Sequence, residues 1–393
     1  MSRLPTGSGR GLPAVEPLAH LDYAAELAVK NAALREFWER EGLPLTPDEV
    51  APAPRPRHYR TTTRRHVVVS RGRMQLLADP GGDRPGRPGG LAASALEPTE
   101  HAALYNAIAE RLREPHFRPL SEALHFVILR GSLTERCLIL NVSHLDGVVV
   151  RKLRILAEGL PEGDRGLVSA FIFHDPTRSP YYLDTGAVPG SLKVKKLFGP
   201  EILMVSFNGR RYSYAPTGFT QVNEAMVPEL LATARRLLAP GGGERLLDLY
   251  CGYGLFAHDL AADYAAVHGL DAAPEGIESA RRNGHFLGTE VRASFRVCRI
   301  DGADVTRSLP KPDGRREVIL ADPPRQGIPP AALAALAERA PARVVQACCG
   351  TDEMPAQIRA WQQHGYRLQA VCPLDMFPGT AHLETFIRLE PAG

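Results

Sequence analysis

The sequence predicts an α/β protein of two domains: an α+β half built on an antiparallel sheet, then a Rossmann-like half with a mostly parallel sheet. Two observations carry this. Before about Asn223, short β-rich runs follow one another (HFVILRG, ERCLILNVS, GLVSAFIFH, ILMVSFNG, RRYSYAP), several bounded by Gly, Asn or Pro. After it, RLLDLY, AVHGLD, FRVCRI, REVILAD, ARVVQACC and LETFIRL alternate with helical stretches such as PEGIESARRNGHFL and PAALAALAERA, the rhythm of a parallel sheet covered on both faces. At 393 residues the chain suits two cores rather than one. The expected boundaries are 1–50, a partly disordered N-terminal tail and helix; 51–223, the α+β domain; and 224–393, the Rossmann-like domain.

Residues 1–17 are rich in Gly and Pro, and Leu21 to Glu41 reads as an amphipathic helix with Leu27, Val29, Leu34 and Phe37 on its apolar face. From Pro52 to Leu77 the chain carries Arg55, Arg57, Arg60, Arg64, Arg65, Arg71 and Arg73 with no acidic residue. Such a run is either the solvated face of a strand pair or a surface that tracks phosphates. A second basic group, Lys193, Lys195 and Lys196 near Arg210 and Arg211, falls in the same half, away from the glycine-rich turns described below. That placement favours phosphate tracking, with Arg60, Arg64 and Arg65 as candidates. Asp79 to Gly90 reads as a flexible loop. The helix EPTEHAALYNAIAERLRE follows, with Thr99 as its expected cap.

Composition narrows the class of protein. With 44% hydrophobic and 23% charged residues the chain resembles an ordinary soluble protein. No apolar run reaches bilayer length and the N-terminus lacks the apolar core of a secretory signal, so a cytoplasmic, membrane-free monomer is expected. The six cysteines (Cys137, Cys251, Cys298, Cys348, Cys349, Cys372) contain no CxxC spacing, which argues against zinc, other metals and disulfides. The net charge of +3 is too small to argue for nucleic acid by itself.

The chemistry gathers after Arg245. Tyr250-Cys251-Gly252-Tyr253-Gly254 follows a buried strand, and its glycines let a ligand approach the carboxyl edge of the sheet. The next strand ends in Asp271, nineteen residues after Gly252, where such sheets hold a ribose hydroxyl pair. A nicotinamide-binding unit would share this acid; Asp248 and the DLYCG context favour S-adenosylmethionine. Asp322-Pro323-Pro324-Arg325 closes REVILA, either as a simple strand-ending turn or as the turn that methyltransferases place against a flipped base. One strand later come Cys348 and Cys349. Carbon 5 of uracil is a poor nucleophile until a thiolate adds at carbon 6, a task for Cys349 unless it is merely a small core residue. Glu384, after the Pro-Gly turn of LDMFPGTAHLE, can remove the carbon 5 proton; His382 and Asp375 are rival bases.

Taken together, these motifs resemble the RNA uracil-C5 methyltransferase family, which makes 5-methyluridine in transfer and ribosomal RNA. The resemblance covers mainly Gly218 to Leu389. GFTQVN is similar to the family's Phe-x-Gln-x-Asn element, mapping Phe219, Gln221 and Asn223 onto it, with Gln221 at the junction of cofactor and base. The resemblance implies that Tyr250, Gly252, Asp271 and Asp322 bind S-adenosylmethionine, that Arg325 meets the substrate, and that Cys349 and Glu384 are nucleophile and base. It implies an RNA substrate, transfer RNA ahead of ribosomal RNA, and no iron–sulfur cluster, because no cysteine precedes Cys137. Two departures stand out. Cys348-Cys349-Gly350-Thr351 replaces the family's Ser-Cys-Asn-Pro, and Leu255 stands where many members have Asn. The departures motivate an alternative, a non-catalytic RNA-binding protein that retains the fold.

Overall fold

The computed structural model describes residues 16–78, 94–178, 194–302 and 305–393. Residues 1–15 of the expected tail, the Asp79–Gly90 loop and Lys193 lie outside the described residues. In chain order come α1 (Tyr23–Arg40), β1 (Thr63–Ser70), β2 (Arg73–Ala78), α2 (Thr99–Leu112), β3 (Leu124–Gly131), β4 (Arg136–Val142), α3 (Gly147–Glu158), β5 (Leu167–His174) and β6 (Val194–Phe198). Next are β7 (Leu203–Phe207), β8 (Arg210–Tyr214), α4 (Val227–Leu238), β9 (Arg245–Leu249), α5 (Leu255–Leu260), β10 (Ala266–Asp271), α6 (Pro274–Leu287) and β11 (Ala293–Val297). The chain ends with α7 (Val305–Ser308), β12 (Glu317–Ala321), α8 (Pro330–Ala337), β13 (Arg343–Cys348), α9 (Met354–Gln363), β14 (Tyr366–Leu374) and β15 (Glu384–Pro391). The described residues gather into two compact units, one of Arg57–Val205 with residues 16–20, the other of Leu21–Pro56 with Ser206–Gly393.

The first unit holds a six-stranded sheet in the order β2-β1-β3-β4-β5-β6, antiparallel except for the β4–β5 pair, which α3 connects. Sequence reasoning missed α3, because its Val148-Val149-Val150 run has the side chains of a strand. Two local facts override that propensity. Asp146 caps the helix, its carboxylate accepting the Val149 N–H at 2.7 Å, and Val149, Leu153 and Leu156 recur at helical spacing in the core with Leu140 and Ile172. In α2 the cap position belongs to Pro98, not Thr99; Thr99 is already helical and its hydroxyl donates to Glu100.

The second unit holds seven strands ordered β11-β10-β9-β12-β13-β15-β14. The first five are mutually parallel, and β15 inserts antiparallel between β13 and β14. Strand order reverses between β9 and β12, so the turns leaving these strands flank a crevice at the carboxyl edge of the sheet. Helix α1 belongs to this unit: Leu34, Phe37 and Trp38 join the cluster that contains Leu368, Val371 and Trp361. Its buried face differs from the expected one, since Leu27 and Val29 are only partly covered while Glu26 and Lys30 are buried. The charges are tolerated because they are paired. Lys30 Nζ lies 2.9 Å from Glu26 and 2.6 Å from Asp375, Tyr23 donates to Asp375 at 3.0 Å, and Glu26 accepts the Gly379 N–H at 2.5 Å. The N-terminal helix thereby clamps the Asp375–Gly379 loop that leads into β15.

Candidate active site

Strand β9 leaves the sheet through a turn in which Tyr250 (φ +62°), Gly252 (φ +52°) and Gly254 (φ +82°) are all left-handed. Glycine is required at 254, where a Cβ would sit 2.8 Å from His258 Nε2; at 252 a Cβ would meet nothing within 4 Å, so the backbone there faces open space. Asp271, at the end of the neighbouring β10, accepts the Gly252 N–H at 2.8 Å with one oxygen and the Ala273 N–H at 2.8 Å with the other. It therefore shapes the turn and remains half-buried beside it. The Tyr250 hydroxyl donates to the Ile300 carbonyl at 3.1 Å. Asp248 is fully buried and accepts the Ala257 N–H at 3.0 Å; its other oxygen has no partner among the described residues. Burial, with Asp322 and Asp271 adding, pushes the Asp248 carboxyl well above its ordinary range.

Asp322 follows β12 across the crevice, its N–H donating to the Leu249 carbonyl at 3.2 Å. The β13–β15 ladder ends with Cys348 opposite Thr385, so Cys349 leaves the end of β13 beside the start of β15 at Glu384. Cys348 is buried, while Cys349, past the end of the strand, is half-exposed. Burial and the Asp322 carboxylate hold Glu384 well above the usual carboxylate range, and one of its oxygens is buried without a partner among the described residues. Burial and the Asp271 carboxylate likewise raise Asp322. Cys349 is pushed up to about 12 by burial, then by Glu384 and Asp322, with Arg325 opposing. At rest the nucleophile candidate is a thiol, and added positive charge would favour its thiolate.

Arg325 projects from the Asp-Pro-Pro turn with its guanidinium 3.7 Å from Asp352. A Cβ at Gly350 would lie 3.1 Å from Arg325 Cγ and 3.0 Å from Asp352 Oδ1, so the glycine of Cys348-Cys349-Gly350-Thr351 makes room for the arginine. Gln221 is half-buried and its amide makes no hydrogen bond to the described residues. Asn223, nearby in sequence, donates to the Met376 carbonyl at 3.1 Å. Leu255 is buried at the start of α5. Of the rival bases, Asp375 is fully buried between Lys30 and Tyr23, and His382 is exposed.

A polar network behind this site escaped sequence reasoning. Gln357 of α9 accepts the Ile328 N–H at 2.9 Å, donates to the Ile328 carbonyl at 3.2 Å and accepts from Gln346 at 3.0 Å, while Gln346 accepts from Trp361 at 3.2 Å. The network ties the turn after Asp322 to the strand that ends in Cys348. Its one visible signal was a glutamine inside the apolar run RVVQACC. Gly327 permits it, because a Cβ there would sit 2.5 Å from Gln357 Cδ.

The three candidate arginines lie in the other unit and are largely engaged by protein. Arg65 is 7% exposed, makes two hydrogen bonds to Glu97 at 2.6 and 2.5 Å and rests 4.3 Å from the Tyr105 ring centroid, so it does not reach a phosphate-binding surface. Arg64 is half-buried over the Phe126 ring, 5.5 Å from its centroid. Arg60 is half-buried, with its Nε buried and unbonded among the described residues.

No helix among the described residues is long and apolar enough to cross a membrane. A family model described as tRNA (Uracil-5-)-methyltransferase matches residues 190–391. An uncharacterized RNA methyltransferase of Thermosynechococcus vestitus is 31% identical over 385 residues, which cover 93% of this chain and 80% of the relative. The 23S rRNA (uracil(1939)-C(5))-methyltransferase of Chromobacterium violaceum is 26% identical over 387 residues, covering 96% of this chain and 71% of that protein. The fold is shared with the tRNA (uracil-54, C5)-methyltransferase of Pyrococcus abyssi, solved with S-adenosyl-L-homocysteine, at a TM-score of 0.67 and 22% identity over 96% of this chain and 86% of that one. The chain belongs to the tRNA (uracil-5-)-methyltransferase family, RNA uracil-C5 methyltransferases that depend on S-adenosylmethionine.

Proposed function

We propose that this enzyme methylates carbon 5 of a uridine in structured RNA through a covalent adduct on Cys349, with Glu384 as the base. The observation that carries the reading is that Cys349, just past the end of β13, lies within electrostatic reach of Glu384 at the start of β15, beside the carboxylate-rich crevice. The crevice suits S-adenosylmethionine: orphaned, buried carboxylate oxygens on Asp248 and Glu384 favour a ligand that brings positive charge and donors. Gly252 offers the open backbone, Asp271 the ribose acceptor, and Asp322, Tyr250 and Gln221 complete the binding set. When bound, the cofactor supplies an electrophilic methyl group on a sulfonium.

The chain's own residues do the rest. The Cys349 thiol gives up its proton to solvent, the thiolate sulfur forms a bond to carbon 6, and the electrons of the 5,6 double bond move into an enolate that makes carbon 5 nucleophilic. Once carbon 5 carries the methyl, Glu384 in its ionised form takes the remaining carbon 5 proton, which its raised proton affinity favours, the double bond re-forms, and the carbon 6–sulfur bond breaks to release thiolate. Arg325, beside this centre, favours the anionic sulfur and enolate. Transfer RNA is the substrate we favour, supported by the description of the matched family, although curated relatives include 23S rRNA enzymes. Incubating the purified protein with S-adenosylmethionine and either unmodified transfer RNA or 23S rRNA, followed by mass spectrometry of nucleosides, tests this. We expect 5-methyluridine in transfer RNA; 5-methyluridine only in 23S rRNA would reverse the substrate, and none in either would remove the function.

A further inference from the structure

Within the sheet-and-helix unit of Arg57–Val205 lies a groove of about 420 Å³ between α3 and β6, lined by Leu145, Val150, Arg151, Arg154 and Lys195. Leu197, two residues after Lys195 on β6, joins Leu153 and Leu156 of α3 in the core. The two cationic elements are thus fixed to each other by apolar packing, and their charges do not have to be gathered at the moment of binding.

The cations in the groove differ from the buried arginines of the same unit. Arg65 is paired with Glu97 and Arg136 with Asp164. Arg151 and Lys195 are exposed, and their side chains have no hydrogen-bond or carboxylate partner among the described residues. Arg154 meets Glu158 only at 3.9 Å, with both side chains more than half exposed, a pair worth about 0–1 kcal/mol. The one acid lining the groove among the described residues, Asp146, is occupied in capping α3. Arg151 and Arg154 stand three residues apart on one helix face, about 5–6 Å between Cβ atoms. Such an array attracts a polyanion, while Leu145 and Val150 give it an apolar floor.

We propose that the α3–β6 groove is a docking surface for the phosphate backbone of the substrate RNA, read by Arg151, Arg154 and Lys195. The proposal rests on RNA being the substrate and replaces Arg65 as the expected phosphate contact. It makes Lys195 the functional member of its basic cluster. Lys196 is not among the groove-lining residues and pairs with Glu201 at 2.9 Å.

The test compares the full chain with the Arg151→Ala/Lys195→Ala double variant and a Lys196→Ala control, measuring RNA binding against salt and methylation kinetics. Each lost phosphate contact lowers the log–log salt slope by roughly 0.7–0.9, so the double variant should lose about 1.5 from the slope. Its KM for RNA should rise about tenfold with kcat at saturating RNA unchanged, and Lys196→Ala should resemble wild type. A wild-type slope and KM in the double variant, with wild type methylating normally, overturns the groove. Poly-glutamate binding lost in the double variant with RNA binding retained also overturns it, in favour of an acidic protein partner. If wild type binds RNA without methylating it, the enzymatic reading fails, and the salt slopes still decide whether the groove holds the RNA.

Discussion

Replacing Lys30 by methionine isolates the clamp between the N-terminal helix and the loop that leads into Glu384. Methionine keeps the length and apolar stem of the lysine but removes the charge that Glu26 and Asp375 share at 2.9 and 2.6 Å. Both carboxylates are wholly buried, so the variant leaves buried negative charge without a counterion. Breaking a buried pair in this way costs about 3–5 kcal/mol, a large part of the stability of a typical domain. The sign of the pH dependence follows from Asp375, whose carboxyl is already raised by burial even though Lys30 pulls it down. A carboxyl raised in the folded state contributes stability that is present below its unfolded value and lost as pH rises through its folded value. Removing Lys30 raises it further, so the deficit should be full near neutral pH and shrink in mild acid as Asp375 protonates. Urea unfolding at about pH 7.5 and about pH 5 measures both. A deficit under about 1 kcal/mol at neutral pH, or one that grows on acidification, would refute the ion network as the reason two charged residues occupy the buried face of α1.

Three further outcomes are expected. Asp271→Ala should weaken S-adenosylmethionine about tenfold or more by calorimetry, since a hydrogen bond to a charged group is worth roughly 1.5–3 kcal/mol; unchanged affinity would remove Asp271 from the cofactor. Because burial and Asp271 raise the Asp322 carboxyl, and its ionised form attracts a cation, affinity for S-adenosylmethionine should rise from about pH 5 to about pH 7. The uncharged-sulfur product S-adenosylhomocysteine should show a smaller rise, and equal slopes for the two would count against the carboxylate crevice as a sulfonium site. Gln357→Leu strands the Ile328 N–H and carbonyl and the Gln346 amide, at roughly 1–3 kcal/mol per unsatisfied group, so a total loss of about 2–5 kcal/mol after partial relaxation is expected in urea unfolding. A fully stable variant would show that the network does not hold the turn after Asp322.

What was legible in the sequence was local. RLLDLY and REVILA are buried strands ended by residues with turn chemistry, and the spacing of Asp271 from Gly252 placed two neighbouring strand ends together before any coordinates. The features that stayed hidden depend on partners far along the chain. Lys30 and Asp375 are 345 residues apart, and nothing near either announces the pair. Arg65 read as one of a row of phosphate-tracking cations because Glu97, its partner, lies 32 residues away in the loop before α2. The insertion of β15 between β13 and β14 is a matter of sheet order, which strand composition does not encode. Helix α3 was obscured by three valines, and with it Arg151 and Arg154. Gln346 was visible as a polar residue in an apolar strand, but its partners on α9 were not.

The central claim is that Cys349, and not its buried neighbour, attacks the uridine. RNA carrying 5-fluorouridine at the target position tests it most directly, because fluorine at carbon 5 cannot leave as a proton and the adduct persists through denaturing electrophoresis. Wild type and Cys348→Ala should both form the complex in the presence of S-adenosylmethionine, and Cys349→Ala should form none. A complex that survives in Cys349→Ala, or its absence from a wild-type enzyme that methylates ordinary RNA, would contradict the assignment.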